Sequence, residues 1–177
     1  MMTLAEAQHD IRRAYVGGGP GAFVSALVGL AAGLVDRSQG TATAFTVLFF
    51  GGMLIYPGGL LVEKLFFRRP APRKDNALGL IALESTIAMI GCLFAAWLLL
   101  RFEPAFVFPV AAIAVGTHYF AFKSVYGDKT YWLMAAAITA LGFAGLYWPD
   151  RIPGGLIFAV AAVEAVFAVI LTMRAPK

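Results

Sequence analysis

Charge is scarce in this chain, and metal-ligating side chains are scarcer. Lys, Arg, Asp and Glu make up 14% of its 177 residues, against roughly a quarter in soluble domains. There is one cysteine, Cys92, so no intrachain disulfide can form. The only histidines are His9 and His118. A His/Cys metal site is therefore not expected, nor is a bound cofactor. No H-E-x-x-H, G-x-S-x-G or zinc-ligand spacing occurs. The run GGGPG (17–21) lacks the flanking strand and the later G-K-[ST] of a phosphate loop. No polar stretch is long enough for a soluble domain, and MMTLAEAQHDIRRAY is too polar for a secretory leader.

What remains is apolar. Hydrophobic residues are 60% of the chain, and the mean hydropathy is +0.80. The charges are bunched between long apolar runs, the pattern of an integral membrane protein. The fold class expected is all-α: a polytopic bundle of six transmembrane helices with short loops, forming one domain over 1–177. The spans fall at about 20–35, 43–66, 78–100, 105–124, 131–146 and 153–173. Thr3 and Glu6 have capping-box spacing, and Leu4, Ile11 and Tyr15 share one face, so residues 1–16 should form an amphipathic helix at the cytoplasmic surface. GGGPG would turn the chain into the membrane.

Orientation follows from Lys and Arg. Arg12, Arg13, Lys64, Arg68, Arg69, Arg73, Lys74, Lys123, Lys129, Arg174 and Lys177 fall on one side, and only Arg37, Arg101 and Arg151 on the other. The positive-inside rule then puts both termini in the cytoplasm of a bacterial inner membrane. Arg68, Arg69, Arg73 and Lys74 should lie against anionic lipid headgroups. Nucleic acid is not an expected partner. The three outer turns each pair one arginine with one acid, as in Asp150 and Arg151, and read as local ion pairs. Gly21, Ser25, Gly29 and Gly33 recur every four residues and give the first span a face for close helix packing, within the chain or in a homo-oligomer.

The polar groups at depth carry the functional reading. Glu84, His118 and Glu164 come from three spans, yet each lies roughly 10–15 Å from the same end at 1.5 Å per residue. Tyr56, Pro57, Gly58 and Gly59 interrupt the second span at a similar depth, where proline removes a backbone donor. Ser85, Thr86 and Thr117 adjoin the ionisable residues. Each of these could simply hydrogen-bond across helices. Together they point to a polar cavity open to the cytoplasm, because ionisable residues inside spans are by default functional and irregular backbone is tolerated only where it is buried or lines a cavity. A Glu–His pair there would suit a proton-coupled carrier.

The segments AEAQHDIRRAYVGGGPG (5–21), ALESTIAMIG (82–91) and AVGTHYFAFKSVYGDKTYW (114–132) resemble a family of small bacterial integral membrane proteins of unknown function. The resemblance implies a polytopic membrane protein and supplies no catalytic residues. It covers Glu84 and His118 but not Glu164. The function expected is a transporter or channel for a small solute or ion. The alternative is a non-catalytic membrane partner or assembly protein, and an intramembrane lipid-modifying enzyme ranks third.

Overall fold

A computed structural model describes residues 2–176. The counted Lys177 lies outside them. The described chain is all-helical. Helix α1 spans Leu4–Ala14 and opens with the capping box: Glu6 N–H donates to Thr3 Oγ1 (3.3 Å), and Thr3 N–H donates to Glu6 Oε2 (2.7 Å). Its apolar face does not lie only toward lipid. Ile11 is buried against Leu78 and Val125, so α1 is seated on the base of the bundle. Val16, Gly17 and Gly18 then take left-handed backbone at φ 49°, 65° and 82°. Two glycines do this cheaply. Val16 does not, and it is held by near-complete burial.

Helix α2 (Gly19–Gln39) carries Pro20 in its first turn, where no intrahelical donor is needed. It runs four residues past the expected end, because Asp36 and Arg37 sit in its last turn and reach the surface. Helices α3 (Thr41–Gly52) and α4 (Ile55–Val62, continued as a π turn over Glu63–Phe67) form one broken span bent by 53°. The sequence placed the break at 56–59. The bend comes at Met53–Leu54 because Pro57 lacks the N–H that would bond Met53 O, and its ring crowds that carbonyl four residues back. Pro57 itself sits harmlessly in the first turn of α4.

Four straight spans follow: α5 (Leu78–Leu98), α6 (Val107–Tyr126), α7 (Thr130–Tyr147) and α8 (Leu156–Arg174). Five helices are long and apolar enough to cross a membrane, and the bent pair makes a sixth span. The packing order is α5, α6, α7, α8, α2, with α3 and α4 on α2. Close seams use small residues. A Cβ on Gly29 would lie 3.2 Å from Ala161 Cβ, and one on Gly33 would strike the Phe158 ring, so both face α8. A Cβ on Gly59 would lie 3.3 Å from Gly21 Cα, whereas one on Gly21 itself would meet nothing within 4 Å. Of the small-residue stripe, Ser25, Gly29 and Gly33 are thus turned to α8 within the chain.

The ring closes at one end only. Phe45 of α3 is fully buried with Leu93, Ala96, Val107 and Ala111 of α5 and α6, and meets Trp97 edge-on at 5.7 Å. Beyond the bend, α4 packs mainly on α2.

The other end gathers α1, the loop before α5, the α6–α7 turn and the C-terminal residues. Asp10 accepts from Arg73 N–H (2.9 Å), Asn76 Nδ2 (3.0 Å) and Arg13 Nη2 (3.2 Å). Asp128 accepts from Arg12 Nη2 (2.9 Å) and Arg174 Nε (3.1 Å). Burial alone would disfavour both carboxylates. For Asp10 the bonds from Asn76, the Arg73 amide and Arg13 outweigh it; for Asp128 those from Thr130 and Arg174 and the charge of Arg12 do. Both pKa values end below the ordinary aspartate value. A carboxyl with a depressed folded pKa stabilises above its unfolded pKa and loses that contribution as pH falls through the folded one. Docking of α1 is therefore expected to hold from neutral pH down to about 4, near the aspartate reference value, and to loosen below it. Hydrogen exchange of the α1 amides against pH measures this; loosening already at pH 6 would contradict it.

Candidate functional site

Helix α6 organises the polar interior. Its residues 118, 122 and 126 are spaced four apart and so line one face. The His118 ring meets Phe122 edge-on at 4.5 Å, and Phe122 is 5.8 Å from Tyr126. On the α5 side, Ser85 Oγ lies 2.8 Å from His118 Nδ1 and 3.3 Å from the His118 carbonyl oxygen. One residue on, Tyr119 points the other way, into the α2–α8 seam. Its hydroxyl donates to Glu164 Oε1 at 3.0 Å, and Ser25 Oγ donates to the same oxygen at 2.7 Å. Glu164 is 3% exposed, and Oε2 receives no donor among the described residues. A buried carboxyl held only by hydroxyls needs a proton or a cation to be comfortable.

The expected band therefore divides. His118 pairs with Ser85, Glu164 pairs with Ser25 and Tyr119, and the two groups touch only through adjacent rings, 5.6 Å apart for His118 and Tyr119. Glu84 belongs to neither. It is exposed on the outer face of α5, one residue round from Ser85. Thr86 and Thr117 turn their hydroxyls back to the carbonyls of Ala82 and Ile113 on their own helices. Tyr56 and Pro57 are exposed, while Gly58 and Gly59 pack on Val24 and Gly21 of α2. A single cavity joining Glu84, His118 and Glu164 is not what the chain builds: one turn of a helix is 100° per residue, and depth along the axis says nothing about direction around it.

Sequence reading missed Glu63. It stands near the end of the second span and was passed over as flank, since Lys64 and the basic loop follow. In the structure it is 8% exposed, in the π turn below α4, and burial is not offset by any hydrogen bond or ion pair among the described residues. Tyr15 and Tyr126 pack against Ile11, Leu78 and Val125 at this end of the bundle. The Tyr15 hydroxyl is pushed above its ordinary pKa, first of all by burial. Behind them Tyr126 stacks on Tyr131 at 5.1 Å, and Tyr131 OH donates to Gly17 O at 2.7 Å. The clue in the sequence was a carboxylate, Glu63, inside the apolar run that ends at Phe67.

A family described as a family of unknown function, DUF7010, has a profile that matches residues 4–174. The chain belongs to this family. No curated protein and no solved structure matches it. The DUF7010 match extends over all six spans and α1, so Glu164 and Glu63 lie within it as surely as His118 does. Among the described residues of this family member no cluster of three His, Cys, Asp or Glu side chains could hold a metal ion. What the DUF7010 chain offers is two buried carboxyls within its spans, Glu63 and Glu164, hydroxyl donors to Glu164, and a span broken by 53° whose second half runs on into Glu63.

Proposed function

We propose that the protein is a transporter for a small solute, working by movement of α4 about Met53–Leu54, in a bacterial inner membrane with both termini in the cytoplasm. One observation carries the reading: the span beside the buried acids is broken by 53°, and its outer half is locked into the bundle while its other half rests on α2 through glycines. Broken helices at depth are the moving parts and binding elements of many transporters. The eleven basic residues that the sequence distributes to one side support the orientation, and Arg68, Arg69 and Lys74 would meet anionic headgroups there. Proton coupling rests on Glu164, whose partners among the described residues are the neutral hydroxyls of Ser25 and Tyr119.

The test is proton flux across proteoliposomes carrying an imposed cation gradient. Glu164→Gln is expected to lower the coupled flux at least tenfold, and Glu84→Gln to leave it unchanged. Equal flux in wild type and Glu164→Gln would end the coupling argument. A partner-protein role is favoured by one separate feature. Only 11% of the most apolar window of α5 is buried, against 22–44% for the other straight spans, and that open face carries Glu84. Purification from its own membrane with a second integral protein held by Glu84 would support it.

A further inference from the structure

A cavity of about 620 Å³ lies between α1 and the loop before α5. That is within the range of about 300–1,000 Å³ usual for small-molecule sites. Its polar walls are Glu6, His9, Asp10 and Arg13 of α1 and Arg73 of the loop. Residues 6, 9, 10 and 13 are three and four apart, so α1 presents them on one face. Arg73 is fixed beside them by its own amide, which donates to Asp10 Oδ2 at 2.9 Å. Part of this surface is already engaged. Asp10 accepts from three donors, which leaves it little to offer a ligand. Glu6 uses only Oε2, toward the Thr3 amide (2.7 Å) and hydroxyl (2.9 Å), and Oε1 has no donor among the described residues. The Thr3 bonds hold the Glu6 carboxyl below the ordinary glutamate value, so it is an anion at neutral pH. Arg13 gives Nη2 to Asp10, and Arg73 gives Nε and Nη2 to Asp75. Arg13 Nε and Nη1 and Arg73 Nη1 have no acceptor among the described residues. His9 is exposed, and neither ring nitrogen has a partner among the described residues.

The two carboxylates and two guanidiniums on these walls cancel. A simple anion would meet as many negative as positive groups, and so would a simple cation. A zwitterion satisfies both signs at once. The order along α1 decides which end goes where. The free acceptor is at 6, and the free donors at 9 and 13 follow at steps of about 5–6 Å between Cβ atoms. A phosphodiester carrying an ammonium on a two-carbon arm matches that step. We propose that this cavity binds a phosphoethanolamine group, as on a phospholipid headgroup, with the phosphate on Arg13, Arg73 and His9 and the ammonium on Glu6. Guanidinium forks suit phosphate oxygens. The carboxylate oxygen takes an N–H donor, which ethanolamine has and choline lacks. The place suits a lipid as well. Arg73 stands just before α5, whose apolar span begins at Leu78, and α1 is the amphipathic helix at that end. Bridging α1 and the loop, the headgroup adds to the docking that Asp10 supplies. None of this depends on the transporter reading.

The probes are the dioctanoyl forms of phosphatidylethanolamine, phosphatidylcholine and phosphatidylglycerol, added singly to purified protein in neutral detergent. Native mass spectrometry counts the lipids kept per chain. One phosphatidylethanolamine per chain is expected, held about tenfold more tightly than either other lipid, the worth of one hydrogen bond to a charged group. Glu6→Gln keeps the bond to Thr3, because glutamine also serves at that capping position. It should remove the preference over phosphatidylcholine. Arg73→Gln leaves the amide bond to Asp10 in place and should weaken phosphatidylethanolamine and phosphatidylcholine alike, several-fold. Hydrogen exchange of the α1 amides checks that α1 stays docked in both variants. Equal retention of the three lipids by the wild-type protein overturns the proposal, and so does stronger retention of phosphatidylglycerol. An unchanged preference in a Glu6→Gln protein with α1 docked overturns it too. Glycerophosphoethanolamine is the arm without acyl chains. If it displaces the lipid at equal concentration, the phosphoethanolamine site stands and its source is a soluble phosphodiester; if it does not, the source is the lipid.

Discussion

Gly116→Val is expected to lower the melting temperature of the protein by about 10 °C. A Cβ at 116 would lie 2.6 Å from the amide nitrogen of Thr139 and 3.0 Å from its Cα. These are backbone atoms, so no rotamer change can clear them, and α7 would have to move bodily. The same seam is tight from the other side, where a Cβ on Gly142 would fall 2.8 Å from Ile113 N and 2.9 Å from Pro109 O. In lipid this matters more than in water. Hydrocarbon solvates a separated helix as well as a neighbouring helix does, so close van der Waals contact must supply the association. Overpacking a well-packed core typically costs about 1–3 kcal/mol. Against fixed backbone the cost should be at the top of that range or beyond, which for a chain of this length is a melting-point loss of about 10 °C. Gly91→Val is the control, because nothing lies within 4 Å of a Cβ there on the open face of α5. Size-exclusion profiles after heating in detergent read both. Equal melting temperatures would show that α6 and α7 are not held by this contact.

The membrane explains what the sequence reveals and what it hides. Apolar runs long enough to span were legible because lipid demands them, and the helices found fall where those runs fall. Pro57 announced a break, and only its place was misjudged, since a proline disrupts the turn before it rather than the one it occupies. The capping box at Thr3 was readable because it depends on three adjacent residues alone. Which way Glu84 points was not readable. In a soluble helix, polar residues mark the outside; here the residues flanking Glu84 on the outside are Leu80, Ile87 and Gly91, as apolar as those inside. Glu63 was hidden for a related reason. Its position close to a span end reads as flank, and neither the 53° bend ahead of it nor its burial can be read from hydropathy.

A disulfide between Val24→Cys and Gly58→Cys is expected to form readily and to stop turnover. The Cβ of a residue at 58 would lie 3.8 Å from Val24 Cβ, the average separation in disulfides. Position 58 has ordinary helical backbone, so cysteine fits it without strain. Cys92, exposed on α5, must first become alanine to prevent cross-linking between chains. The bond would close a loop of about 35 residues, worth up to about 4 kcal/mol by loop-closure entropy; the gain should be smaller in lipid, where the unfolded reference is already a set of inserted helices. Thermal stability should therefore rise moderately on oxidation. Flux should fall to background and return with reductant, because α4 is then tied to α2 at the turn just past the hinge. If flux continues at the wild-type rate with the disulfide formed, α4 does not move during turnover. The bend at Met53–Leu54 would then be a fixed feature of the fold.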